Sequence, residues 1–263
     1  MTDIQRVMIN GRWPLMLPKH RAERESWPYW EATRLAAMHH HIRPGDVVYD
    51  VGAEAGDFGA LFATWGAEVV LIEPNPKAWP TIRAVWEAND LEPPSQFAGF
   101  LAESALVGSL HGICLGGRWI APAHDVMEEA HGFYYIGQHQ AATMRLDDLS
   151  YELGVLSYEL GVPDVVTIDV EGGEGHVLRG GYETLRDHTP AVFVSVHPQF
   201  MAALYGEHPN QIHDLMGDLG YHGRFLCEDH EQHWVWTHPD SGRMFPGVAP
   251  RGEYYVPGDR IIL

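Results

Sequence analysis

Short apolar runs alternate along this chain with segments whose apolar residues recur every three or four positions. The runs at 46–51, 68–73, 96–100, 164–170 and 191–197 are brief, and all but 96–100 carry several Val or Ile residues, so each predicts a buried strand. Between them the helical period predicts helices near 57–66, 77–89 and 174–187; the second carries Ile82, Val85 and Trp86 on one face. Such alternation implies an α/β fold, a mostly parallel sheet with helices on both faces. A helix through Ile212, Leu215, Met216 and Leu219 follows and stops at Gly220. The runs at 221–227 and 233–237 then predict a final antiparallel hairpin.

The flanks read differently. Two apolar runs around Asn10-Gly11 predict a hairpin over 6–17, with Pro14 confining the second strand to an edge. From Ser26 a helical run through Trp27, Trp30, Leu35 and Met38 reaches Arg43-Pro44-Gly45 and closes on His39, His40 and His41. Consecutive side chains diverge around a helix, so the three imidazoles predict a polar C-terminal end that suits the dipole better than a metal site. The chain therefore divides into an extension at 1–44, a main domain at 45–238 and a tail at 239–263, rich in Gly and Pro, that reads as irregular. Within the main domain, residues 105–142 break the alternation. With Gly116-Gly117, Trp119, Phe133, Tyr134 and Tyr135 they read as a substrate-side insertion where the sheet reverses direction. The heptad Leu149–Val155 is repeated at 156–162, which predicts a helix over 149–160 weakened near Gly154.

Length and composition narrow the class. The 263 residues suit one large decorated domain, and 45% hydrophobic content is that of a folded globule. No apolar stretch is long enough to span a membrane and the N-terminus carries no secretory pattern, so a cytoplasmic protein is expected. Seventeen Lys and Arg against 36 Asp and Glu give a net charge of −19, which repels nucleic-acid backbones. Cys114 and Cys227 fit no metal spacing and read as reduced thiols.

The chemistry concentrates in Val48-Tyr-Asp50-Val-Gly52-Ala-Glu54-Ala-Gly56-Asp-Phe-Gly59 and in Leu71-Ile-Glu73-Pro-Asn75. Together these predict strand, glycine turn, helix and a second strand ending in a carboxylate, the unit that binds an adenosine-containing cofactor. Glu73 is spaced to accept both ribose hydroxyls. A dinucleotide fingerprint would need glycines at 54 and 57, where Glu54 and Asp57 would repel a pyrophosphate. S-adenosylmethionine carries a sulfonium and an ammonium and suits an acidic lining. A nicotinamide-dependent oxidoreductase and a non-catalytic cofactor-binding protein stand as the alternatives.

The blocks Asp50-Val-Gly-Ala-Glu-Ala-Gly56, Ile72-Glu-Pro-Asn-Pro76, Arg145-Leu-Asp-Asp148 and Thr167-Ile-Asp-Val-Glu-Gly-Gly-Glu174, leading into Val177-Leu-Arg-Gly180, resemble those of FkbM-type S-adenosylmethionine-dependent methyltransferases over roughly residues 45–200. The chain departs from the pattern at Glu54, where that family usually has Asn. The resemblance implies a Rossmann-like class I methyltransferase fold with a seven-stranded sheet. It also implies methyl transfer to a hydroxyl of a sugar, glycan or glycosylated metabolite. Carried over, Asp50, Gly52, Glu54 and Gly56 line the methionine end, Glu73 holds the ribose, and Ala102 with Glu103 lies at the adenine edge.

Methyl transfer needs in-line positioning, and a hydroxyl acceptor must also lose its proton. Asp169 and Glu171 end one predicted strand and His197 the next, so these ends meet at the crevice. His197 is expected as the general base, with Asp169 and Glu171 orienting acceptor or cofactor. Asp147 or Asp148 is expected to cap the helix that follows. Carboxylates at 169 and 171 would suit magnesium, but the next strand end offers no second carboxylate, and no metal is assigned. His230 and His233, in Cys227-Glu-Asp-His230-Glu-Gln-His233-Trp, are within reach of the site from the final hairpin, although a polar turn is the preferred reading.

Overall fold

The computed structural model describes residues 3–104, 113–119, 127–130, 133–136, 142–243 and 254–255. Five strands, β3 (Val47–Val51), β4 (Glu68–Ile72), β5 (Ser95–Phe97), β11 (Val165–Ile168) and β12 (Ala191–Val196), run parallel at the centre. β3, β11 and β12 have the β-branched, nearly all-apolar sequences of strands buried on both faces, and β5, Ser-Gln-Phe, is buried although two of its residues are polar. The hairpin β13 (His222–Glu228) and β14 (Gln232–Thr237) joins antiparallel beside β12. The order β13-β14-β12-β11-β3-β4-β5 is the seven-stranded arrangement expected from the sequence.

Two short edge strands enlarge it to nine: β7 (Ile113–Cys114) beside β5, and β15 (Tyr254–Tyr255) beside β13. The tail is thus not wholly irregular, since 254–255 pairs with Gly223 and Arg224 and Arg243 ties down its start. Arg243 lies 2.7 Å from both Asp46 and Asp164, clamping the amino ends of β3 and β11. The run at 96–100 divides at Ala98 into β5 and β6 (Gly99–Leu101), and β6 pairs with β10 (Ala142–Met144).

Helices α3 (Asp57–Thr64) and α4 (Trp79–Ala88) cover one face, where Leu61, Phe62, Ile82, Val85 and Trp86 join β3 and β4 in one core. Helices α5 (Leu146–Leu156), α6 (Glu174–Gly180), α7 (Tyr182–His188) and α8 (Asn210–Asp218) pack a second core on the other. The predicted helix at 174–187 is two helices, broken at Gly181, whose added Cβ would meet Leu146 at 2.5 Å. Among the described residues no helix is long and apolar enough to cross a membrane.

The extension behaves as read, with two corrections. Strands β1 (Ile4–Ile9) and β2 (Trp13–Pro18) pair through Asn10, Gly11 and Arg12, with Asn10 and Gly11 both at positive φ in a turn closed by Arg12 N donating to Ile9 O. A four-residue helix α1 (Lys19–Ala22) follows, but α2 begins only at Ala32 and ends at His41, not at Ser26. Glu31 sits in the left-handed region at φ 42, so Trp27 and Trp30 are buried from turns. At the other end of α2, burial holds His41 down to about 4, so its neutral ring offers the helix dipole no charge. His39 instead packs against Trp13 and Trp65.

The heptad repeat folds asymmetrically. Helix α5 runs unbroken through Gly154 and stops at Ser157; the second copy becomes a tight turn at 158–161 folded back on the first. Gly161 presses against Gly154, and the Ser150 hydroxyl donates to the Gly161 carbonyl. The weak point is therefore the junction of the copies rather than Gly154.

Of the segment 105–142, β7 runs antiparallel to β5 toward the amino ends of the strands, where Gly117 N donates to Pro93 O at 2.9 Å and Trp119 meets Trp86. Residues 113–119 thus lie at the end opposite the glycine turn, beside a cavity of about 510 Å³ lined by Trp86, Pro94, Ser95 and Leu160. A short hairpin, β8 (Met127–Ala130) with β9 (Phe133–Ile136), is described further on. The rest of the substrate-side reading falls outside the described residues.

Candidate active site

Site residues gather where the parallel strands end. After β3 the chain turns at Gly52 (φ 85), and a Cβ there would stand 1.9 Å from the Asp169 carbonyl, so the β3 and β11 ends approach to a distance only glycine allows. Gly56 (φ 76) caps α3 against Ile82. Asp50 is buried beneath this turn. Burial pushes its carboxyl up to about 7 against the opposing charge of Arg34.

Glu73, at the end of β4, reaches back across the crevice. Its Oε2 accepts from Glu54 N at 2.9 Å and its Oε1 from Asn75 N at 2.7 Å, so one side chain stitches the tips of β3 and β4. Burial pushes its carboxyl up to about 7, while those two amides pull it down. Glu54 itself is 79% exposed and takes positive φ (47°).

The neighbours of Asp57 change the picture of an acidic turn. Arg21, from α1, binds the Asp57 carboxylate and lies 3.8 Å from Glu54, so the extension neutralises one of the two acids read as repelling a pyrophosphate. A cavity of about 290 Å³ between His20, Arg21, Arg24 and Glu54 opens there. Glu103 is engaged by α6: its carboxylate lies 2.9 Å from Arg179 and 3.6 Å from His176. Ala102 N donates to Met144 O at 2.9 Å, and Gly180 packs against its carbonyl.

At the β11 and β12 ends, Asp169, Glu171 and His197 do come together. His197 Nε2 lies 3.8 Å from Asp169 Oδ1 and 3.7 Å from Glu171 Oε2. Both ring nitrogens are already engaged, however: Nδ1 at 2.8 Å from buried Glu174 Oε1, and Nε2 on Glu231 Oε2. Burial alone would lower this imidazole, but the hydrogen bonds to Glu174 and Glu231 and the charges of Glu174 and Asp169 raise it to about 11. The expectation of His197 as free general base is corrected accordingly. A carboxylate on each nitrogen favours the protonated ring and leaves no nitrogen open to an acceptor. Asp169 and Glu171 remain the more open carboxylates, their side chains 28% and 68% exposed. Partial burial first, then neighbouring carboxylates, raise Glu171 against the pull of His197.

Three partners escaped the sequence reading. Arg34 of α2 is 1% exposed and lies 2.7 Å from Glu31, 3.1 Å from Asp169 Oδ2 and 3.3 Å from Thr167 Oγ1, with its guanidinium over the Phe58 ring. Glu231 enters from the β13–β14 turn to reach His197. Glu174 ties the turn together by also accepting from Gly172 N at 2.9 Å. Glu174 lay in the Thr167–Glu174 motif and Glu231 between His230 and His233 of the final hairpin, whereas Arg34 comes from a distant segment with no local signature. Asp147 is a cap, but of another helix: it accepts from Thr184 N at 2.8 Å, at the start of α7.

Residues 50–222 match the family described as Methyltransferase FkbM domain. None of the curated proteins matches the chain in sequence. Among solved structures, a methyltransferase FkbM from Methylobacillus flagellatus is 15% identical with a TM-score of 0.46, covering 74% of this chain; the chain spans 44% of that protein's length. The M. jannaschii TYW2 structure in complex with AdoMet is 14% identical with a TM-score of 0.42, covering 90% of this chain and 85% of that one. The precorrin-6y C5,15-methyltransferase of Geobacter metallireducens is 12% identical with a TM-score of 0.44, covering 79% and 87%. With the glycine turn, Glu73 and the Asp169-Val-Glu171 strand end all inside the matched span, the chain belongs to the FkbM methyltransferase family.

Proposed function

We propose that this protein transfers the methyl group of S-adenosylmethionine to a hydroxyl of a sugar, glycan or glycosylated metabolite. The observation that carries the reading is the crevice between Gly52, Glu73 and Asp169, flanked by carboxylates at the ends of three adjacent parallel strands. The residues fit the cofactor. Asp50 Oδ2 is buried with no hydrogen-bond partner among the described residues, and Glu73 is a buried carboxylate of the kind that accepts a ribose diol. Asp50, Gly52, Glu54 and Gly56 would hold the methionine end and Glu73 the ribose. Ala102 and Glu103 at the adenine edge remain part of the proposal, with Glu103 then shared with Arg179. When bound, the cofactor supplies an electrophilic methyl group.

The chain supplies position and a proton acceptor. Glu171, the most open carboxylate of the cluster, takes the hydroxyl proton, and Asp169 orients the acceptor. His197, pinned between Glu174 and Glu231, acts as a fixed positive charge that keeps both carboxylates in place. Holding the acceptor in line accounts for much of the rate, with about 7–11 kcal/mol as the ceiling for ideal positioning.

The test has two parts. Thermal unfolding with S-adenosylhomocysteine and with NAD should show stabilisation by the first alone; stabilisation by NAD alone would overturn the reading. Mass spectrometry of glycan acceptors incubated with labelled cofactor should then show label on oxygen, and Glu171→Gln should lower kcat more than KM.

A further inference from the structure

The β13–β14 turn carries Asp229, Glu231 and His233, alternating along Cys227-Glu-Asp-His-Glu-Gln-His233, and the backbone brings one donor atom of each within 4.8 Å of the others. His233 is fully buried. Its Nδ1 is 3.1 Å from the Ser195 hydroxyl, which fixes the ring. Its Nε2 has no hydrogen-bond partner among the described residues and points at the two carboxylates, 3.5 Å from Asp229 Oδ1 and 3.6 Å from Glu231 Oε1. These separations are too long for hydrogen bonds. They are close to what two donors show when each lies about 2.1 Å from a shared ion, roughly 3–3.5 Å apart.

We infer that Asp229, Glu231 and His233 form a binding site for one divalent transition-metal ion. One imidazole nitrogen with two carboxylate oxygens suits zinc-like ions better than magnesium, which prefers oxygen alone and keeps its water. Asp229 is half-exposed, which leaves the ion an entry path and an open position for water. Glu231 is the hinge: Oε1 faces His233 while Oε2 holds His197, so an ion here fixes the carboxylate that fixes the His197 ring. Asp169, His197 and Glu231 form a second triad within the same reach, but His197 already has carboxylates on both nitrogens and Asp169 is bound by Arg34. The buried nitrogen left without a partner is that of His233 alone in these two triads. The site stands on metal-donor geometry and does not rest on the methyl-transfer reading.

Titration of the full chain with Co²⁺, a coloured stand-in for Zn²⁺, tests it without cofactor or acceptor. Expected are visible absorption bands that saturate at one ion per chain and persist in a large excess of Mg²⁺. Asp229→Asn, at a half-exposed position, and His233→Gln should each weaken binding about tenfold or more, while Asp187→Asn, on the exposed face of α7, should not. Thermal unfolding checks that each variant is folded. Absence of saturable binding, displacement by Mg²⁺, or binding lost in Asp169→Asn but kept in Asp229→Asn would each overturn the assignment.

Discussion

Arg34 Nη1 lies 3.1 Å from Asp169 Oδ2, joining residues 135 positions apart. The extension is therefore part of the site, because the carboxylate of the most specific motif is held by a cation from α2. Removing that cation leaves largely buried Glu31 without its counter-charge and, among the described residues, Asp169 with only His197, 3.8 Å away. Arg34→Met should cost about 3 kcal/mol of stability, read from the denaturant midpoint. Arg34→Lys should recover only part of it, since an ammonium cannot span Glu31, Asp169 and Thr167 as the guanidinium fork does. An unchanged midpoint in both variants would show that the extension only covers the site.

Cofactor affinity should depend on pH through Glu73. Burial holds this carboxyl up at about 7, and ribose hydroxyls donate best to the ionised form. Calorimetric affinity for S-adenosylhomocysteine should therefore fall as pH drops below about 7, approaching tenfold per unit. Glu73→Gln should bind weakly and with a shallower profile, since Asp50 at the methionine end is also pushed up to about 7; an unchanged slope in Glu73→Gln would count against the ribose role.

Acid should destabilise the fold through buried neutral histidines. Burial lowers His213, whose ring packs on Trp234 and Trp236, from 6.5 to about 4. The unfolded chain takes up the proton first, so this contribution is complete above pH 6.5 and is lost as pH falls toward 4. Buried carboxylates such as Asp50 run the opposite way across that window, so the comparison is between variants. His213→Phe should gain melting temperature relative to the unmodified protein at pH 5 compared with pH 8; a constant difference would refute the assignment.

The two copies of the heptad should respond oppositely to one substitution. A Cβ at Gly154 meets Gly161 Cα at an ordinary 3.4 Å within helix α5, so Gly154→Ala should stabilise by roughly 0.5–1 kcal/mol. A Cβ at Gly161 would stand 2.5 Å from Gly154 Cα and 3.1 Å from the Ser150 carbonyl, so Gly161→Ala should destabilise by roughly 1–3 kcal/mol. Equal effects, measured by chemical denaturation, would mean the copies are structurally equivalent.

What the sequence by itself determined is what short-range physics can decide. The period of the apolar residues named the seven strands of the core, Asn10-Gly11 named the first turn, and the spacing from Gly52 to Glu73 named the crevice. Tertiary structure alone decided which charges meet. Nothing local to Arg34, Glu231 or Arg21 marks it as a partner of Asp169, His197 or Asp57, because those contacts form only when distant segments close over the strand ends. Burial then set their chemistry. The same ring that reads in the sequence as a base has, between Glu174 and Glu231, a carboxylate on each nitrogen, which favours its charged form.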